Sequence, residues 1–372
     1  MNKLEIKPEQ ANNNLPLLPP EEFIFNDVDL LKASLAASSA IASLNATIRT
    51  DLSNVNHGLN MLSPLLVPEA VTSSGVENIV TTNERVYESR LLVEDELRPQ
   101  DKEVMRYVDA LIVGGDELDK KHFLATNQYV KIQKTLEPSK TGIRKLPGTQ
   151  LANPVSGQIY YTPPDNEKDI LRLLKNFEAY FNDPSPRHEV LMRAAILHYQ
   201  FEAIHPFHDG NGRTGRILIP LYLTAEELLD VPLLFVSKFI LEHRDEYYQR
   251  LRAVTFEKDW KAWILYMLRA FEVQAEYTLE VLSRITVVKR RLEKQLEKLT
   301  GHAYAHDIAN FLFEYPFFTQ AEFARDLQVS YVTARKYLAI LEGDKIVARK
   351  KQSNRNRFIY VCPEYIKLLR NS

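Results

Sequence analysis

Residues 205–216, HPFHDGNGRTGR, hold two histidines, one aspartate, three glycines and two arginines within twelve positions. These types suit chemistry on a phosphate ester. His205 has a reference pKa of ~6.5 and is the natural general base near neutral pH. Asp209 is a hard oxygen ligand of the kind Mg²⁺ takes, with its other positions filled by water and phosphates. Gly210, Asn211 and Gly212 free the backbone to turn its N–H groups toward one point, an anion nest opening into a helix N-terminus. Arg213 and Arg216, three apart at the start of that helix, add cations for phosphate oxygens. Base, metal ligand, nest and cations then share reach of one triphosphate.

Two other chemistries fit less well. GNGRTG, 210–215, has the spacing GxGxxG of a dinucleotide-binding turn, but that turn follows a strand in a βαβ unit, and here the preceding run is helical. His205, His208 and Asp209 form a four-ligand transition-metal set only if the fold also delivers His302 or His306, and the chain's single cysteine does not help.

The elements that must position this loop are mostly helical. Apolar residues recur at helical spacing from Val28 to Asn60, among them Leu30, Leu31, Leu35, Ile41, Leu44 and Ile48. A second helix runs from about Gln100 to Ile112. A third, capped by Asp183 or Ser185, leads into the loop, and RILIPLYLTAEELL leads out of it. Residues 241–300 are helical almost throughout, with Trp260 and Trp263 as core anchors. Between breakers, GQIYYTPP (157–164) is β-prone and forms a short hairpin arm.

The loop resembles the signature of the Fic family, HPFx[D/E]GNGRxxR, at every defined position. The resemblance implies a helical core and transfer of AMP from ATP to a protein hydroxyl on Tyr, Thr or Ser, with release of pyrophosphate. On that basis His205 is the catalytic base and Asp209 holds Mg²⁺. Gly210, Asn211, Gly212, Arg213, Gly215 and Arg216 bind ATP, with Arg216 at the outer phosphate, and Phe207 packs beneath the loop. The arm is similar to the family's flap, in which Gln158, Ile159, Tyr160 and Tyr161 pin the target by strand addition; the alternative is an ordinary edge hairpin. SSGVEN, Ser73–Asn78, matches the looser family pattern [S/T]xxxE[G/N] of a subclass with its brake upstream of the core. There Glu77 pairs with Arg216 and denies it to the nucleotide; the alternative is a solvated helix glutamate. Two rivals remain: a de-adenylylating hydrolase using the same residues, and a DNA-binding regulator whose core only senses nucleotide.

Residues 302–372 resemble a winged helix: Thr319–Leu327, a turn, a recognition-type helix Tyr331–Leu341, and strands near Ile346–Ala348 and Phe358–Val361. The wing carries Arg349, Lys350, Lys351, Arg355 and Arg357, which suits DNA phosphates; winged helices also serve as protein-interaction modules. The expected fold is mostly α, a helical core with a β-hairpin flap plus a small α/β winged-helix domain. The expected division is 1–110 (N-terminal helical region), 111–300 (catalytic core) and 301–372 (winged helix). Over 372 residues the formal net charge is -2, with 45% hydrophobic and 26% charged residues. That is ordinary for a soluble globular protein. One cysteine excludes an internal disulfide framework and suits a reducing compartment. With no secretory signal at the N-terminus and no membrane-spanning run, a cytoplasmic protein is expected; a homo-oligomer is compatible with all of this.

Overall fold

The computed structural model describes residues 7–20, 25–51, 63–92, 96–152, 156–184, 189–351 and 358–370. The chain begins with α1 (Val28–Asp51), α2 (Ser63–Val76), α3 (Asn83–Ser89), α4 (Pro99–Lys121) and α5 (Thr126–Leu136). Two short strands follow, β1 (Leu151–Ala152) and β2 (Ile159–Tyr161), then α6 (Glu167–Phe181), α7 (Val190–Ile204) and α8 (Asn211–Ala225). Next come α9 (Ser237–Glu242), α10 (Arg244–Glu257), α11 (Trp260–Thr300) and α12 (His302–Glu314). The last elements are β3 (Phe317–Phe318), α13 (Gln320–Asp326), α14 (Tyr331–Gly343), β4 (Ala348–Lys351), β5 (Phe358–Val361) and α15 (Pro363–Arg370). The fold is mostly helical, as expected, with two small antiparallel sheets.

Neither of the two compact units is continuous in sequence. One joins residues 1–49 to 109–278, and the other joins 50–108 to 279–372. This differs from a linear division at 110 and 300, because α4 and α11 each contribute residues to both units.

In the first unit α7 is the hub. Fourteen of its fifteen residues are buried, the mark of a helix surrounded on all sides. It packs against α8 and α6, around the rings of Tyr129, Phe177, Phe181, Phe201 and Tyr222. Trp263 is fully buried and donates its indole N–H to the Ala195 carbonyl at 2.8 Å. Trp260 is only half-buried, its ring edge-on to Tyr199. The stripe of α1 is Leu30, Ala37, Ile41, Leu44 and Ile48, all buried. Leu35 falls off it at 73% exposed, since five residues from Leu30 is about 140° round the helix. The expected helix over 28–60 ends at Asp51, and 52–60 lie outside the described residues. Likewise α7 begins at Val190 rather than at Asp183 or Ser185. Ser185 lies outside the described residues, and the Asp183 carbonyl accepts from Arg193 at 3.1 Å.

In the second unit the sheet order is β3-β5-β4, antiparallel throughout. A capping box starts α13: Thr319 accepts from the Glu322 N–H, and the Glu322 carboxylate accepts from the Thr319 N–H at 2.8 Å. Phe311, Phe318, Phe323 and Tyr360 form the aromatic centre. The strand expected near Ile346–Ala348 runs instead from Ala348 to Lys351, while β3 and α15 had not been expected. Arg355 and Arg357 lie outside the described residues. On the other side of the sheet, Tyr87 of α3 stacks with Phe317, and Asn83 donates to the Leu369 carbonyl at 3.3 Å. Hence α2 and α3 belong to one packed body with the C-terminal elements.

Candidate active site

The loop His205–Gly210 joins the end of α7 to the start of α8. His205 caps α7 in the left-handed region, φ 48° and ψ 58°, a conformation that costs a residue with a Cβ and must be held from outside. Arg144 does the holding. Its side chain is fully buried and donates to the His205 carbonyl at 2.7 Å and the Ile204 carbonyl at 3.2 Å. Its own N–H donates to the Pro206 carbonyl at 3.0 Å, and Ile143 bridges to Phe207. Phe207 is fully buried against Phe201, the footing expected of it.

Asn211 closes the loop from within. Its side-chain oxygen accepts from the Phe207 N–H, and its amide donates to the Phe207 carbonyl, each at 2.8 Å. That side chain is therefore a clamp on the loop. Gly210 precedes α8 at φ 79°, where a Cβ would also press to 3.3 Å from Glu137. The first-turn amides of α8 have no carbonyl four residues earlier within the helix, so they point out of its N-terminus.

Asp209 stands beside this N-terminus. Its Oδ1 accepts from the Gly210 N–H at 2.8 Å, and its Oδ2 lies 2.7 Å from Lys140 Nζ. Burial pushes the Asp209 carboxyl up, but Lys140, the Gly210 N–H and Arg213 outweigh it and hold it below the usual carboxylate range. The group is an anion at neutral pH, and its side chain is 40% exposed. A partly open, ionised carboxylate at a helix N-terminus fits one protein ligand to a Mg²⁺ that takes its remaining ligands from phosphates and water.

The two arginines of the loop are both buried. Arg213 turns inward at 2% exposed and pairs with Glu137 at 2.6 Å, so it fastens α8 to α5 rather than lying open to a ligand. Arg216 is also 2% exposed and lies close enough to His198 to help hold that imidazole neutral. Burial first, then the Arg216 charge, lowers its pKa to about 3. Gly215 marks the close approach of α8 to α7: a Cβ there would meet the side chains of Glu202, Phe201 and His198. Gly212 is half-buried in the first turn, and His208 is exposed.

In the arm, β2 pairs with β1, Leu151 opposite Tyr161 and Ala152 opposite Ile159. Ile159 and Tyr160 are half-buried, while Gln158 is exposed just before the strand. Tyr161 points into the core, donating to the Ala203 carbonyl at 2.8 Å, and so ties the arm to α7 two residues before His205.

Four positioning residues escaped the sequence reading: Gln133, Glu137, Lys140 and Arg144. Gln133 is fully buried; its amide donates to the Lys140 carbonyl at 2.8 Å and the Asp209 carbonyl at 3.1 Å. Its signal is a glutamine on the apolar stripe of α5, between Ile132 and Leu136. Arg144, in a loop, has no such pattern.

Glu77 belongs to the other compact unit. It follows the last residue of α2, exposed, with Asn78 at φ 64° and the Ile79 N–H donating back to Ser74 at 3.0 Å. A carboxylate at a helix C-terminus faces the negative end of the dipole, where a cation is favoured. Glu77 is thus placed against local preference, while Ser73 and Ser74 beneath it are fully buried.

Fold and site together define a helical core that presents a polar loop at a helix N-terminus. Residues 117–223 match the Fic/DOC family model, and residues 31–116 match the Fic/DOC family N-terminal model. Through these adjoining domains the chain belongs to the Fic/DOC family. Among curated relatives, it is 32% identical over 123 residues to protein adenylyltransferase fic-1 of Caenorhabditis elegans, covering 32% of this chain and 23% of that protein. It is 29% identical over 153 residues to protein adenylyltransferase Fic of Culex quinquefasciatus, 40% of this chain and 27% of that one. The chain thus spans about a quarter of the length of these relatives. A Fic domain containing signaling protein from Bacteroides thetaiotaomicron shares the fold at TM-score 0.51 and 16% identity, over 68% of this chain and 97% of that one. Fic-1 from C. elegans does so at TM-score 0.50 and 20% identity, over 68% and 73%. Among the described residues no helix is long and apolar enough to cross a membrane.

Proposed function

We propose that this protein transfers AMP from ATP to a Tyr, Thr or Ser hydroxyl of a target protein, itself included, and restrains itself through Glu77. The observation that carries the reading is the placing of His205. It sits in a held left-handed turn, four residues before an ionised carboxylate, in the loop that leads into α8. His205 accepts the target's hydroxyl proton as the oxygen forms a bond to the α-phosphorus, and the bond to pyrophosphate breaks. The outward amides of α8 oppose the charge on the phosphate oxygens. Asp209 would hold Mg²⁺, which when bound neutralises phosphate charge. Arg216 serves the outer phosphate; a carboxylate from Glu77 paired with it both occupies that cation and repels the nucleotide. The relatives' names support the activity, and the lone, buried Cys362 suits a reducing cytoplasm.

Incubation with α-labelled ATP and magnesium tests the reading. His205→Ala should lose labelling by ~10²- to 10⁴-fold while keeping nucleotide affinity, which rests on other groups. Undiminished labelling by the variant would remove His205 from the chemistry.

A further inference from the structure

The C-terminal elements carry charge that transfer does not use. Between Thr319 and Val361 nine lysines and arginines stand against four acidic residues, in a chain of net charge -2. Among the described residues the structure sorts the cations of β4 by side. β4 is an edge strand, and its successive side chains point to opposite faces. Lys350 faces α3, its Nζ 3.6 Å from Glu88 and 5.5 Å from the centre of the Phe317 ring. Arg349 takes the opposite face, 3.5 Å from the centre of the Phe358 ring, and Lys351 shares that face by alternation.

Helix α14 lies on this second face. Arg349 is the cross-strand partner of Tyr360. Burial and Glu342 push the Tyr360 hydroxyl up while Arg349 and Arg335 pull it down, so both guanidiniums lie near this one ring. Ala334, Leu338 and Leu341 are buried and seat the helix. That leaves Tyr331 (60%), Val332 (65%), Arg335 and Lys336 exposed on its first two turns. Ser330 caps it by accepting from the Thr333 N–H at 3.0 Å.

We propose that this face binds duplex DNA: Arg349, Lys351, Arg335 and Lys336 meet backbone phosphates, and the first turns of α14 enter the major groove. Charge complementarity decides for DNA over a protein. The buried centre of a protein interface is depleted of charge, whereas four cations dominate here. The major groove admits a helix, and Tyr331 and Val332 would meet base edges and thymine methyls there. The proposal stands apart from the transfer reading, because its readout is binding alone.

The test uses the full chain and a fluorescein-labelled duplex of roughly 25 base pairs, about two helical turns, followed by anisotropy from ~50 to ~200 mM salt. Affinity should fall steeply with salt. Arg335→Gln with Lys336→Gln, and separately Arg349→Gln with Lys351→Gln, should each flatten the slope of log K against log salt by about two units, near 0.9 per lost phosphate contact. Lys350→Gln, on the same strand but the other face, should leave the slope unchanged. Absence of binding at ~50 mM salt overturns the proposal and leaves the face to a protein partner. An equal loss from Lys350→Gln overturns it too, since attraction would then follow charge and not this face.

Discussion

Arg144→Met asks how much of the transfer rests on a residue outside the signature loop. The substitution keeps most of the apolar stem and removes the guanidinium. It deletes the two side-chain hydrogen bonds to Ile204 and His205, while the backbone bond from residue 144 to Pro206 remains. Hydrogen bonds from a charged donor are worth ~1.5–3 kcal/mol each, so roughly 3–6 kcal/mol should be lost from the first compact unit. For a body of this size about 2–4 °C of Tm accompanies each kcal/mol, which gives a fall of roughly 6–24 °C. Function should suffer separately. With its carbonyl released, His205 can leave the left-handed turn, and a misplacement of about 1 Å can cost ~10²-fold in rate. The assay is initial labelling rate against ATP concentration well below the variant's Tm, with circular dichroism as a check of folding. The expected result is a kcat lowered by ~10²-fold at a KM changed by only a few-fold, with Arg144→Lys recovering part of the rate. A folded Arg144→Met that labels at the wild-type rate refutes the positioning role. A loss confined to KM would mean that Arg144 supports the nucleotide site and not the base.

Asp209→Ala should lower the labelling rate and also flatten its dependence on magnesium; a retained magnesium optimum would assign the metal to another residue. Glu77→Gly should raise self-labelling at least ~tenfold, about 1.4 kcal/mol of barrier, and Arg216→Ala should not mimic it, because the phosphate partner goes with the anchor. Equal or lower labelling by Glu77→Gly would end the proposed brake. His198 should contribute to acid sensitivity. Its folded pKa of about 3 lies below the ~6.5 of an unfolded histidine, so as pH falls below ~6.5 only the unfolded chain takes up the proton. Stability is then lost by up to ~1.4 kcal/mol per pH unit until about pH 3. His198→Gln should lose less Tm between pH 6.5 and 4 (starting at about the unfolded pKa) than the wild type, and parallel curves would refute this.

The residues of the loop were legible because their types are dictated by local demands. A glycine at φ 79° before α8, an imidazole and a carboxylate in one short turn, and a helix opening directly afterward can be read from twelve letters. The start of the helix at Thr319 and most of the apolar stripe of α1 were legible for the same reason, since each depends on neighbours within a turn or two. Tertiary structure decided what the side chains do with that placement. Arg213 and Arg216 are alike in sequence, yet packing against α5 commits Arg213 to Glu137. Asn211 spends its amide on Phe207, and Tyr161 its hydroxyl on α7. Arg144 is 61 residues from the carbonyl it holds, and residues 50–108 join 279–372 in one body. Periodicity and spacing report only the neighbours a residue has along its own helix or strand. Partners brought in from distant segments are set by how apolar faces pack, and no local pattern encodes them.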